Sequence, residues 1–223
     1  MQKELLDQLE TPCIVIDMAR AEENVIRMQA EADAAGCRLR PHIKTHKMPL
    51  FTRMQMAHGA AGITCAKVSE AEVMADGGAE DIFIAYPMVG DFRIKRAIAL
   101  AGRLKRLILA VDSMECAMPL NEAAKAAGIT LEVRLEVDTG AKRTGVQRTK
   151  AAELAKEVHQ LSNLNLTGIY TFKSLVYHDE PTEDKVIAGA EEGDMMEAIA
   201  EEIRKAGVPI AEISAGSTPT GVE

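Results

Sequence analysis

The chain has no tryptophan and few aromatic residues of any kind, with 3 Tyr and 4 Phe in 223 residues. Its core must therefore be built from aliphatic side chains, with methionines such as Met54, Met56, Met195 and Met196 as filler. No apolar run approaches the ~20 residues that a membrane-spanning helix requires, so no membrane partner is expected. The four cysteines, Cys13, Cys37, Cys65 and Cys116, are scattered and form no CxxC pair. That spacing excludes a zinc knuckle and a dithiol redox motif. The opening stretch "MQKELLDQLETP" is charged and has no signal-peptide core. Reduced thiols in the cytoplasm are the corresponding expectation. A basic excess is missing too: 26 Lys and Arg face 34 Asp and Glu, for a net charge of -8. Nucleic-acid binding usually needs the opposite balance, so no such partner is expected.

What is present is a 47% hydrophobic content, which excludes disorder, and a length that suits one large domain over residues 1–223. Short apolar strands alternate with helices along the chain. After "TPCIVIDM" (residues 11–18), a strand, comes a helix over 19–36 with Val25, Met28 and Ala32 on one side and Gly36 as its stop. "CRLRPHIK" begins a series of seven strand–helix units, the last ending after its strand. The second helix has Pro49 near its start, where proline is tolerated. The third has Ser69 as an N-cap and Glu72 in the capping-box position. A long helix covers 182–207, with Glu191, Glu192, Glu201 and Glu202 on a solvated face. Alternation of this kind predicts parallel strand pairing. A (β/α)8 barrel takes eight such units in ~250 residues, so the expected fold is a TIM-type barrel lacking its last strand. A doubly wound open sheet is the alternative, though no GxGxxG follows a first strand.

The segment "CRLRPHIKTHK" carries an unusual cluster. Arg38, Arg40, His42, Lys44 and His46 occupy alternate positions, which a strand places on one face. Cations withdrawn from water are costly unless something anionic or carbonyl-bearing meets them. An amine crowded by Arg40, His42, His46 and Lys47 gives up its proton more readily, as an attack on an aldehyde requires. Lys44 is therefore a candidate imine-forming residue. His42 and His46 would suit zinc only on a helix, which Pro41 opposes. In barrels the chemistry gathers at the C-terminal ends of the strands. There the chain places Asp138, Lys142 and Arg143 after the fifth strand, Tyr170 on the sixth, and "SAGSTPTG" after the seventh. A turn of small and hydroxyl residues at that place suits a phosphate. An aldehyde and a phosphate on one small molecule describe pyridoxal 5'-phosphate.

"RPHIKTHK", "CAKVSEAEVMADGG", "LEVDTGAKRTGV" and "SAGSTPTG", in that order, resemble the fold-type III pyridoxal-phosphate enzymes, alanine racemase among them. The likeness is greatest to the D-threonine aldolase and D-serine dehydratase branch. It implies a lyase acting on D-amino or β-hydroxy-amino acids and a barrel followed by a C-terminal β-domain; the open strand edges of an incomplete barrel separately predict a homodimer. It implies Lys44 as the Schiff-base lysine and Arg143 against the pyridine ring; the local pattern itself makes His42 a hydrogen-bonding neighbour of the lysine at the cofactor site. Tyr170 would lie by the ring or phosphate, and Gly216, Ser217 and Thr218 would hold the phosphate. The strand at 11–18 would join the β-domain. A divalent metal, zinc or manganese, would be held only by a longer parent protein. "TFKSLVYH" departs from the Gly-His pair of many relatives. Three other readings stay open. One is a barrel that binds the cofactor without turnover. Another is an amino-acid racemase-like protein. The third is a cofactor-free Schiff-base aldolase acting on a phosphosugar.

Overall fold

A computed structural model describes residues 7–221. Its framework is a parallel sheet wrapped by helices. The first helix, α1 (Met18–Ala34), is capped by the Asp17 side chain, and Gly36 beyond its end takes the left-handed conformation. Val25, Met28 and Ala32 share its half-buried side. Then α2 (Pro49–Ala57) begins with its proline at N1 and leads to β1 (Ile63–Cys65) and α3 (Val68–Asp76). The rhythm continues through β2 (Asp81–Pro87), α4 (Asp91–Ala101), β3 (Arg106–Val111), α5 (Met114–Ala127) and β4 (Leu131–Asp138). A two-residue strand, β5 (Val146–Gln147), precedes α6 (Ala151–His159) and β6 (Leu164–Tyr170). A small hairpin, β7 (Val176–Tyr177) and β8 (Glu180–Pro181), intervenes before α7 (Lys185–Lys205) and β9 (Glu212–Ser214).

The main strands run in the order β1–β2–β3–β4–β6–β9, every pair parallel. Residues 38–42 extend this order by one segment through a bridge between His42 and Thr64. This is a partial (β/α) barrel of seven consecutive segments, as the alternation predicted. Among the described residues no strand fills the space between β9 and residues 38–42, and the Arg38–Glu212 ion pair joins the two sides at 2.5 Å.

The outward faces of the strands pack on the helices in one continuous apolar core, from Ile63 and Ile84 through Leu109 and Leu135 to Ile203. The inward face is layered. Asp81, Arg106, Glu132, Arg134 and Glu212 form an ionic network near the strand N-termini, joined by Arg40 and Arg38. Above it sit Phe83, Ile108, Ala110 and Tyr170, with Phe83 and Tyr170 edge to face at 4.9 Å. Strand β9 approaches β6 closely at Gly168, where a Cβ would lie 2.4 Å from the Glu212 carbonyl oxygen.

Three local expectations differ from the structure. Residues 11–18, read as a strand, form no ladder: Ile14 is 92% exposed, Asp17 already serves as the cap of α1, and Met18 is its first residue. A strand is stable only beside a partner, and among the described residues nothing pairs with this segment. The basic segment is not a continuous strand either. Pro41 has no N–H for a ladder, and His42 Nδ1 accepts the Lys44 N–H at 3.2 Å, which turns Ile43–Thr45 into one 3-10 turn. Finally, Lys67 rather than Ser69 precedes α3, and no side chain caps that helix in the expected way. Glu70 takes the Ala66 N–H instead, while Glu72 pairs with Arg96.

Candidate cofactor site

The 3-10 turn at the end of the first segment presents Lys44 at the C-terminal end of the sheet. Its Nζ lies 5.1 Å from the centre of the Phe172 ring. Arg143, in the loop after β4, places its guanidinium carbon over the same ring, also at 5.1 Å. The sequence separated these two cations by almost a hundred residues. Phe172, two residues beyond β6, brings them together. An aromatic face attracts each of them through its quadrupole, whatever their mutual repulsion.

The basic crowd around Lys44 is smaller than the alternation predicted. Arg40 turns to the strand N-termini and pairs with Asp81 at 2.7 Å, and Lys47 pairs with Glu70. Burial works to raise the Glu70 pKa, but the Lys47 and Ala66 hydrogen bonds outweigh it and keep the carboxylate below its ordinary range. His42 does stand beside Lys44. Burial first, and the Lys44 charge second, push its pKa down to about 4, so it is neutral at pH 7 and its Nδ1 is free to accept the Lys44 N–H. His46 packs edge-on against Phe51, and Cys65, its pKa pushed up to about 12 chiefly by burial, is inert.

Tyr170 lies in the barrel interior and donates its hydroxyl hydrogen bond to Glu136 Oε2 at 2.8 Å; Thr144 donates to Oε1 of the same carboxylate at 2.8 Å. Burial raises the pKa of Glu136 against those two hydrogen bonds, and burial with Glu136 beside it raises that of Tyr170. The Arg143 charge works in the opposite sense on both groups.

The turn after β9 is compact. Gly216 has φ +95, which a side chain rarely tolerates, and its Cβ would lie 3.3 Å from the Cα of Gly221. Ser217 and Thr220 share a hydroxyl–hydroxyl hydrogen bond at 2.9 Å, and the Ser217 N–H is donated to Thr220 Oγ1. The Gly216 N–H is donated to Glu192. Two of the three amides expected to face a phosphate are thus engaged within the protein. Thr218 is exposed at the head of the turn.

Lys44, Arg143 and Phe172 converge, Tyr170 lies in the barrel interior on the strand that leads to Phe172, and His42 stands beside Lys44. The turn at 216–218 is tied to the same place through the backbone: the Lys173 N–H, next to Phe172, and the Gly216 N–H are held by one carboxylate. Pattern reading missed Phe172, Glu136 and Thr144, although the "TF" at the end of an inward-facing strand marks a residue that must project at the barrel mouth. It also placed Glu191 and Glu192 on a solvated face, whereas Glu192 is 1% exposed and Glu191 pairs with the fully buried Lys173 amine. Glu201 and Glu202 are solvated as expected. The donor set of amine, guanidinium, aromatic face and hydroxyl-rich turn fits a phosphorylated aldehyde.

Residues 16–223 match the family model of the alanine racemase N-terminal domain. The chain belongs to that family. It is 37% identical across its whole length to the D-threo-3-hydroxyaspartate dehydratase of Delftia sp. (strain HT23), covering 58% of that protein. It is 33% identical to the D-threonine aldolase of an Arthrobacter species over 96% of this chain and 56% of the relative. Among solved structures, the D-threonine aldolase from Filomicrobium marinum superposes with a TM-score of 0.87 at 32% identity, over 95% of this chain and 57% of that one. As a member of the racemase N-terminal-domain family, the chain thus spans little more than half the length of these relatives.

Proposed function

We propose that this chain is the cofactor-holding barrel of a pyridoxal-phosphate lyase that acts on D-configured β-hydroxy-amino acids, by aldol cleavage or by dehydration. The observation that carries the reading is the convergence of Lys44 and Arg143 on the Phe172 ring at the barrel mouth. The names of the relatives, two of which act on 3-hydroxyaspartate or threonine of D configuration, support the substrate class.

Pyridoxal phosphate, when bound, supplies an electron sink that stabilises negative charge at the substrate Cα. Lys44 Nζ is the amine that would hold its aldehyde carbon, and afterwards the base positioned to carry the Cα proton. His42, neutral at pH 7, orients the 3-10 turn from which Lys44 projects and adds no charge beside it. Arg143, held over the Phe172 ring, would present its positive charge to the pyridine ring. Tyr170 holds Glu136 in place. Gly216, Ser217 and Thr218 would receive the phosphate.

A divalent metal enters this reading only for a longer parent protein. Among the described residues no group of three or more His, Cys, Asp or Glu side chains is arranged to hold one. The homodimer expected from the sequence is supported by the exposed edge of β9, where Ile213 faces solvent. A cytoplasmic location rests on the sequence reading alone.

The test is a spectral titration with pyridoxal 5'-phosphate followed by product analysis. A visible band that Lys44→Ala abolishes supports the site. With 3-hydroxy-D-aspartate, glycine and glyoxylate report aldol cleavage, and oxaloacetate with ammonium reports dehydration. Binding without either product set favours the non-catalytic barrel. Borohydride trapping of a phosphosugar with no visible band would replace the reading by the cofactor-free aldolase.

A further inference from the structure

We propose that Glu192 is a positioning residue for the phosphate turn, holding Gly216 from behind so that the turn's outward face is set for a phosphate ester. The inference rests on the reading of residues 216–218 as a phosphate site. Glu192 lies on α7, away from the strands, yet it is 1% exposed. Its Oε1 accepts the Lys173 N–H at 2.7 Å, and its Oε2 accepts the Gly216 N–H at 3.1 Å. These amides belong to two loops, one after β6 and one after β9. No cation forms an ion pair with Glu192 among the described residues: the Lys173 amine goes to the neighbouring Glu191, and its charge reaches Glu192 only at longer range.

A buried carboxylate without a cation is costly and needs compensation by hydrogen bonds. A core apolar residue at this point of α7 would avoid that cost, so the two amide contacts are the feature to explain. They fix the β9 turn relative to Phe172 and hence to Lys44 and Arg143. They also orient the Gly216 peptide, whose φ of +95 starts the turn that carries Ser217 and the exposed Thr218. The same helix face supports the turn a second time: a Cβ on Gly189 would lie 2.9 Å from the Thr220 carbonyl oxygen. Burial raises the pKa of Glu192 against its two amide bonds.

The experiment compares the dissociation constants of pyridoxal 5'-phosphate and pyridoxal for the 223-residue chain by calorimetry. The wild type is expected to prefer the phosphate ester. Glu192→Ala should reduce that preference by at least about tenfold, the effect of losing a charged hydrogen bond, while pyridoxal binds as before. An unchanged preference overturns the inference, as does an equal loss for both ligands, which would mark a general structural role. A stronger preference overturns it too, because Glu192 would then be a competitor for the amide. If the alanine variant does not fold, Glu192→Gln keeps one acceptor and turns an N–H2 on the second donor. The 31P resonance of bound pyridoxal 5'-phosphate should then shift from the wild-type position, and an unmoved resonance overturns the inference. A wild type that binds both ligands equally removes the phosphate reading itself, and this inference with it. A wild-type preference retained in the variant removes only the role of Glu192.

Discussion

The Lys44 amine and the Arg143 guanidinium rest on one aromatic ring, each 5.1 Å from the centre of Phe172. Truncation of that ring to Phe172→Ala leaves both cations without their common support. Cation–aromatic contacts at partly exposed sites contribute ~0.5–1 kcal/mol each. The affinity for pyridoxal 5'-phosphate should therefore fall about fivefold to thirtyfold, with Phe172→Tyr close to wild type. Spectral titration of the three proteins checks this.

His42 makes the stability depend on pH. Its folded pKa of about 4 lies below its ordinary 6.5, so the unfolded chain takes up a proton in the window where the folded chain does not. The His42 contribution is intact above about 6.5 and is lost as the pH falls towards 4. His42→Asn keeps an acceptor for the Lys44 N–H but does not titrate. Thermal melts from pH 7 to 4 should show a steeper decline in the wild type than in the variant. Parallel curves would show that His42 does not couple to folding.

Glu212 has the opposite sign in the strong-acid range. Burial works to raise its pKa, but Arg38, Arg134 and Arg106 outweigh this and hold it at about 2 against an ordinary 4.5. Its contribution is present above about 4.5 and lost as the pH falls towards 2. Glu212→Gln removes the carboxylate that Arg38, Arg106 and Arg134 share; Arg106 keeps Glu132, whereas the buried Arg134 keeps no ion pair among the described residues. Removing one member of a buried ionic network costs roughly 3 kcal/mol. Urea unfolding at pH 7 should register that loss, and the variant's acid limb should be flatter than the wild type's.

The strands were legible because parallel strands buried on both faces read as short apolar runs, such as Ile82–Ile84 and Leu107–Val111. The order of the site motifs was legible because each lies at the end of such a run. The turn that carries Lys44 was not, because a histidine side chain accepting a backbone N–H two residues on competes with the strand pattern. Glu192 was misread for a different reason. Helical spacing identifies which residues share a face, and only the fold reveals that this face meets the loops after β6 and β9. The segment at 11–17 has strand-like residues but no partner to pair with among the described residues.

The central claim is that one particular amine captures the cofactor's aldehyde. The chain offers a second amine near the barrel mouth, Lys173, fully buried and paired with Glu191. Borohydride reduction in the presence of pyridoxal 5'-phosphate, followed by proteolysis and mass mapping, identifies the modified lysine. The account predicts a single pyridoxyl adduct on Lys44, absent from Lys44→Ala. An adduct on Lys173, adducts spread over surface lysines, or no adduct at saturating cofactor would contradict it.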